Sequence, residues 1–513
     1  MLQTTQRVIV LPEEPIGTIN PYLHGHFAEH LGELVYPGIC VPPDCSIPNT
    51  NGLRNDVLAA LQPLQIPVLR WPGGCFADDY HWRDGIGPVE GRPLRVNRHW
   101  GMAEEPNQFG THEYMAFCRA LGAEPYVAGN LGSGTPAELR DWVEYCNFGG
   151  RSTLADERRA NGDEAPFGIR YWGVGNENWG CGGNISPEHY AEEFCRFRSY
   201  VSGYPDSPVE AIACGPNNAD WDWTRRVFEQ LHHGYGNRLR FMQGFAAHFY
   251  CNTAGTATEY TEDQWLELLA RAYAGEGVIA GTRQIMDEYD PERRIKLLLD
   301  EWGTWHPVEA GKPPRGLYQQ NTIRDACVAA LSLDLFHGFA DQLYMANIAQ
   351  LINVLQALLL VDEDRCIKTP TYHVFDLYRP HQGAQAVRFL TAAESVTDGG
   401  ASAEWCRTRY LGRNPFALRA VHGSASVKDG QLCVTAVNTH PNQKVELEVQ
   451  LHRARWDEVE AVALVADEIH AHNTFTDPER VRLSSPATVH ARGDVLRIEM
   501  APGSVLRLRG TLT

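Results

Sequence analysis

From about residue 21 to residue 380, short apolar, β-rich runs alternate with segments of helical period, and the alternation counts out eight times. A strand buried on both faces needs a helix layer outside it, so eight such units in succession predict an α/β fold, a closed (β/α)8 TIM barrel. The predicted strands are residues 23–28, 67–71, 125–128, 170–174, 211–214, 244–247, 296–299 and 342–346. Helices are predicted between them, among them residues 111–121, 186–201 and 321–337, the second opening on the start signal Ser186-Pro187-Glu188.

Polar residues recur just after these strands: Glu29, Arg70 with Cys75, Asn130, Asn176 with Glu177, Asn217, His248 with Tyr250, Glu301 and Gln350. That is the rim on which barrel enzymes keep their chemistry. Beyond about residue 382 the texture changes to short alternating strands with turn-rich links, the pattern of a C-terminal antiparallel β-sandwich. A strand-like run at residues 6–11 precedes the barrel and is expected to pair with that sandwich, because a lone edge strand is marginal. The layout read from the sequence is therefore residues 1–18 as a strand of the sandwich, 19–381 as the barrel and 382–513 as the sandwich.

Hydrophobic residues make up 43% of the chain and charged ones 21%, enough to bury a full core without staples. The formal charge of −19 repels nucleic acids and anionic membranes and favours a neutral substrate. The amino terminus lacks a basic segment followed by an apolar run, and no stretch approaches the length of a membrane span, so the expectation is a cytoplasmic protein. Thirteen cysteines are scattered without paired spacing and are expected as buried free thiols, as in Ala213-Cys214-Gly215. With no Cys-x-x-Cys and no His-Glu-x-x-His, neither a metal nor a cofactor is expected.

Two segments carry the chemistry. Tyr171-Trp172-Gly173-Val174-Gly175-Asn176-Glu177-Asn178-Trp179 sets a carboxyl where a buried strand meets the mouth, flanked by two tryptophans whose burial would suit a general acid. Leu297-Leu298-Leu299-Asp300-Glu301-Trp302 is an apolar strand ending in paired acids, which strand alternation points to opposite sides so that one faces the mouth. Acids after strands four and seven can approach across a barrel mouth. Two carboxyls roughly 5 Å apart support a retaining glycosidase, and a gap of roughly 6.5 to 9.5 Å leaves room for the water of an inverting one. In a plainer reading, Glu177 caps a helix or loop, Glu29, Arg70 and either Asp300 or Glu301 are ion pairs under the rim, and His248 and Tyr250 are core.

Five motifs in order, Arg70-Trp71-Pro72-Gly73-Gly74, Trp82-Arg83-Asp84-Gly85-Ile86-Gly87-Pro88, Gly173-Val174-Gly175-Asn176-Glu177, Asp300-Glu301-Trp302 and Met345-Ala346-Asn347-Ile348-Ala349-Gln350, resemble glycoside hydrolase family 51, the α-L-arabinofuranosidases. The resemblance implies a retaining, exo-acting enzyme that removes terminal arabinofuranose from arabinose-containing oligosaccharides, without metal, and a homo-oligomer, hexameric or trimeric. It implies Glu177 as general acid/base and Glu301 as nucleophile. It places Glu29, Asn176 and Gln350 on sugar hydroxyls, Arg70 and Tyr250 beside the nucleophile with His248 in the same element, and Trp100 and Trp305 as pocket walls. Many relatives carry Asn where this chain has Cys75, a weaker hydrogen-bonding partner, so one hydroxyl is expected to be gripped differently or by Asp78 or Asp79. Rival readings are a β-xylosidase or endo-glucanase of the same family, a carbohydrate-binding barrel without turnover, and a metal-dependent barrel hydrolase.

Overall fold

In the computed structural model, which describes residues 5–233, 236–397, 418–485 and 489–513, all eight predicted strands form and close into a barrel. The chain's first strand, β1 (Thr5–Thr18), lies outside it. The barrel strands are β2 (Gly25–Phe27), β3 (Val68–Trp71), β4 (Glu124–Gly129), β5 (Tyr171–Val174), β6 (Glu210–Asn217), β7 (Gly244–Asn252), β8 (Lys296–Thr304) and β9 (Leu343–Ala349). Each pairs in parallel with the next, and β9 returns to β2 through Asn347↔Gly25 and Ala349↔Phe27.

Period-two alternation sorts their side chains. Val68, Tyr126, Tyr171, Ile212, Leu298 and Met345, each from a different strand, meet in one cluster inside the barrel. Their neighbours Leu69, Trp71, Trp172 and Leu299 belong to the core between strands and helices. The last four strands run on to Asn217, Asn252, Thr304 and Ala349, where the sequence reading ends them at 214, 247, 299 and 346. A ladder continues wherever a neighbouring strand offers partners, whether or not the side chains are polar, so several site residues lie within strands and not in loops after them.

The helices that matter below are α1 (Thr111–Leu121), α2 (Pro136–Asn147), α3 (Pro187–Arg198), α4 (Ile323–Gly338) and α5 (Pro370–Tyr378). The Ser186 side chain accepts the N–H of His189 and opens α3, as an N-cap serine does. Among the described residues no helix is long and apolar enough to cross a membrane.

The second domain is a ten-stranded, mostly antiparallel sheet formed by β1, β10 (Gln385–Thr391), β11 (Val421–Lys428), β12 (Gln431–Asn438), β13 (Val445–Leu451), β14 (Trp456–Val465), β15 (Arg482–Ser484), β16 (His490–Arg492), β17 (Val495–Met500) and β18 (Val505–Leu512). β1 pairs antiparallel with β10 and, against the all-antiparallel expectation, parallel with β13. Val8 and Val10 bury their side chains in the same core as Val434, Leu447, Leu496 and Leu508.

Helix α4 joins the two domains. All of its residues from Ile323 to His337 are buried, because it lies between the barrel and the sheet. Its Asp334 carboxylate accepts hydrogen bonds from Ser424 Oγ (2.7 Å), Thr435 Oγ1 (2.6 Å) and Tyr378 OH (2.9 Å). Burial pushes Asp334 up to about 7 even though these three hydroxyls oppose the shift. A carboxyl whose pKa is higher folded than unfolded holds its proton more tightly in the native state. Its contribution to stability is therefore present at low pH and is lost as pH rises from about 4 towards 7. The unfolding free energy should fall across that window, and fall less in Asp334→Asn, whose amide does not titrate. Urea titrations of both proteins at the two ends of the window check this.

Candidate active site

The site is built around one guanidinium. Arg70, on β3, is 1% exposed and reaches across the barrel interior. Its Nη1 donates to Glu301 Oε1 at 2.8 Å, its Nη2 to Asn176 Oδ1 at 2.6 Å, and its Nε lies 3.5 Å from Asp300 Oδ2. The planar fork makes this possible, since one rigid group serves two carboxylates of β8 and an amide just after β5. Phe27 of β2 packs against the guanidinium face at 4.6 Å. Burial opposes the charge, but Asp300 and Glu301 more than compensate and hold Arg70 firmly protonated.

Strand alternation does not separate the two acids as expected. The ladder between β7 and β8 passes from Ala247↔Leu299 to His248↔Glu301, so Asp300 is the extra residue of a bulge. Both carboxylates consequently face Arg70. Asp300 is the deeper one, a buried ion pair that also accepts from Tyr126 OH at 2.5 Å, and Glu301 is presented to the mouth. Tyr250 OH donates to Glu301 Oε2 at 2.8 Å, and His248 Nδ1 lies 3.6 Å from the same oxygen. Burial alone would raise the Glu301 pKa. The charges of His248 and Arg70 and the hydrogen bonds from Arg70 and Tyr250 outweigh it, leaving Glu301 below the usual carboxylate range.

Glu177 stands across from Glu301, and one oxygen of each lies within 4.8 Å of the other. His248 bridges them, with Nδ1 at 2.9 Å from Glu177 Oε1. Burial pulls the His248 pKa down, but the charge of Glu301 and the bond to Glu177 raise it more. These three side chains are also close enough together to hold a cation, although Arg70 and His248 already supply positive charge there. Of the two tryptophans expected beside Glu177, Trp172 is turned away from the mouth. Trp172 faces outward against Trp142 of α2, and Trp179 donates to the carbonyl of Gly215.

What flanks Glu177 is a disulfide. Cys75 and Cys181, 106 residues apart in sequence, are bonded to each other, which corrects the expectation of free thiols throughout. Their sulfurs lie 4.0 and 3.5 Å from Glu177 Oε2 as packing contacts, since neither carries a proton to donate. Cys75 is thus a tether in this site, where the sequence suggests a weak hydrogen-bonding group. Ten other described cysteines are free and mostly buried, and Cys406 lies outside the described residues.

On the other side of Arg70, Glu29 is buried. Its Oε1 accepts from the Phe76 N–H (3.0 Å) and Trp100 Nε1 (2.9 Å), and its Oε2 from Gln350 Nε2 (3.1 Å). Burial and the charge of Glu301 push it up to about 7 against those donors. Trp100 sits in the turn of a rim hairpin (Arg95–Asn97 with Ala103–Glu105). Asn97 Nδ2 fastens this hairpin to the His30 carbonyl at 2.6 Å, and Glu105 to His30 Nδ1 at 2.8 Å. Trp305 stands edge-on to Tyr250, the ring centroids 5.1 Å apart. Asn176 Nδ2 is buried with no hydrogen-bond partner among the described residues.

Neither aspartate suggested for a sugar hydroxyl is free to take one. Asp79 is paired with Arg98 at 2.5 Å. Asp78 is buried and bonded to backbone N–H groups; burial pushes it up to about 7 against the N–H groups of Gly132, Asn176 and Leu131 and the charge of Arg70. Sequence reasoning missed Cys181 and Tyr126 as parts of the site, and it offered Asp78 to a sugar hydroxyl where the structure gives it backbone N–H groups. The one available signal was Cys181 itself, four residues after Glu177 in Gly180-Cys181-Gly182-Gly183.

A closed βα barrel presenting two carboxylates across its mouth, one of them held ionised by a buried arginine, defines a glycoside hydrolase. Known proteins bear this out. The α-L-arabinofuranosidase 1 domain matches residues 60–261 and the α-L-arabinofuranosidase C-terminal domain residues 300–504. The chain is 39% identical over 512 residues, 99% of its own length and 96% of the relative's, to an intracellular exo-α-L-arabinofuranosidase of Bacteroides ovatus. The family 51 arabinofuranosidase of Xanthomonas axonopodis pv. citri has the same fold at a TM-score of 0.92 and 38% identity, with 99% of this chain and 100% of that one covered. An arabinose complex of the Thermotoga maritima α-L-arabinofuranosidase gives 0.84 at 27% identity, covering 99% and 100%. The chain belongs to glycoside hydrolase family 51, the α-L-arabinofuranosidases.

Gly74 shows how tightly Glu301 is held. A Cβ at this position would stand 2.7 Å from Glu301 Oε1. Gly74→Ala should push the carboxylate off Arg70 and lower kcat by on the order of 100-fold, the scale of an ångström's misplacement of a reacting group, in a protein that still folds. Steady-state kinetics together with circular dichroism check this.

Proposed function

We propose that the protein is a retaining, exo-acting α-L-arabinofuranosidase that works by double displacement. Glu301 attacks the anomeric carbon while Glu177 protonates the leaving oxygen. Water then enters, Glu177 takes its proton, and the glycosyl–Glu301 bond breaks to release arabinose. The observation that carries this reading is the approach of the two carboxylates to within 4.8 Å. That is close to the roughly 5 Å at which a carboxylate reaches the sugar carbon directly, and short of the gap an inverting enzyme keeps for water.

The surroundings support the division of roles. Glu301 is buried and meets Arg70 and Tyr250, groups that favour the ionised nucleophile. Glu177 is half-buried, has a histidine at hydrogen-bond distance and lies nearer the mouth, where a leaving group departs. The free amide donor of Asn176 suits a sugar hydroxyl beside the reacting carbon, and Glu29 with Gln350 forms a ready-made hydroxyl-binding pair. The hairpin that brings Trp100 onto Glu29 closes one side of the mouth, which favours a terminal sugar over a continuous chain. The Bacteroides ovatus relative is named as intracellular and exo-acting. With the net charge of −19, this supports small neutral arabino-oligosaccharides as substrates in the cytoplasm.

Nitrophenyl α-L-arabinofuranoside, β-D-xylopyranoside and β-D-glucopyranoside, offered side by side to wild type and Glu301→Ala, test the proposal. We expect preference for the furanoside and loss of nearly all turnover in the variant. Preference for the xyloside or glucoside would reassign the pocket, and an active Glu301→Ala would remove the nucleophile assignment. Internal fragments from a long polymer would count against exo action, and activity should survive strong chelation.

A further inference from the structure

The backbone that presents Glu177 is unusual. Gly175 and Glu177 lie on either side of Asn176 with φ of 89° and 43°, both in the left-handed region, which a residue with a side chain rarely adopts. Such a turn persists only where its surroundings fix it.

The fixing group sits on a different loop. Asp78 belongs to the short 3-10 turn Cys75–Asp79 that follows β3, and it is 4% exposed. One of its oxygens accepts the N–H groups of Leu131 and Gly132, both at 2.8 Å, from the loop after β4. The other accepts the N–H of Asn176 at 2.9 Å and faces Asn178 Nδ2 at 3.5 Å. Asn176 is therefore pinned twice, by Asp78 at its backbone and by Arg70 at its side chain, and the next residue is Glu177. From the same turn Cys75 reaches Cys181 on the far side of the Glu177 loop. Only an ionised carboxylate offers acceptors alone on both oxygens, and every donor facing Asp78 is an N–H.

We infer that Asp78 is the positioning residue of the acid/base loop: by holding the Asn176 peptide in its turn, it sets where the Glu177 carboxyl meets the leaving oxygen. Both Asp78 oxygens are occupied by N–H donors, so it acts through Asn176 and Asn178. The inference rests on Glu177 being the acid/base. Gly182 closes the same contact from the other side, since a Cβ there would lie 2.0 Å from the Asn176 carbonyl oxygen and 2.3 Å from Asp78 Oδ2. Gly182→Ala thus disturbs the clamp while leaving Asp78 in place.

The test compares Asp78→Asn, Gly182→Ala and Glu177→Ala with wild type on glycosides of the sugar the protein cleaves, from a dinitrophenyl leaving group to an oligosaccharide, with circular dichroism on each variant. Protonation matters only for the poor leaving group, so both clamp variants should lose roughly 10- to 100-fold in kcat/KM on the oligosaccharide and about 3-fold or less on the dinitrophenyl glycoside, following Glu177→Ala in kind. A merely structural role would lower both substrates alike. A steep Glu177→Ala profile beside flat Asp78→Asn and Gly182→Ala profiles overturns this inference alone. If Asp78→Asn does not fold, the Gly182→Ala profile decides, and failure of both variants to fold makes Asp78 a structural residue and overturns it too. A flat Glu177→Ala profile removes the acid assignment and this inference with it.

Discussion

The buried charge of Arg70 is the interaction on which the rest of the site depends. Five acidic side chains, Glu29, Asp78, Glu177, Asp300 and Glu301, converge on the mouth of one barrel, and four of them are buried. Carboxylates out of water disfavour their charged forms unless a cation or donated hydrogen bonds compensate. Arg70 does this for the deepest pair and, through Asn176, ties that pair to the strand that presents Glu177. Lysine would not serve, because a point charge cannot address Asp300, Glu301 and Asn176 from a fixed plane while lying flat on Phe27.

Around that cation the two catalytic candidates occupy different worlds. Glu301 is enclosed and fully bonded, whereas Glu177 is half-buried, with a histidine on one oxygen and a hydrogen-free disulfide against the other. His248 couples them, since its Nδ1 lies within reach of both. A proton gained or lost on either glutamate is therefore felt electrostatically by the other.

The scaffold keeps this arrangement rigid from behind. Helix α4 is buried on all sides between barrel and sheet domain, and its Asp334 is anchored by hydroxyls from β11, β12 and α5. The first strand of the chain is spent in the sheet domain and not in the barrel, so the two domains are joined at both ends of the barrel sequence. The rim hairpin is fastened in a similar way by Asn97 and Glu105, which makes the Trp100 wall part of the scaffold and not a loose flap.

The sequence by itself determined the barrel, its eight strands and many of the residues that gather at its mouth. Hydrophobic periodicity is local, and residues such as Arg70, Glu177, His248 and Glu301 mark strand ends that the closed topology then brings together. It also determined the family, through five short motifs. What only the tertiary structure decided are contacts with no local signature. The bulge that turns Asp300 as well as Glu301 onto Arg70 arises from the register of a neighbouring strand. The Cys75–Cys181 bond joins residues 106 positions apart, and Asp78 is bound by amides of two other loops. Trp172 faces the helices because strand alternation placed Tyr171 inside the barrel. Hydrogen bonds and disulfides are made across space, so the chain encodes their partners, but only the folded geometry selects which of them meet.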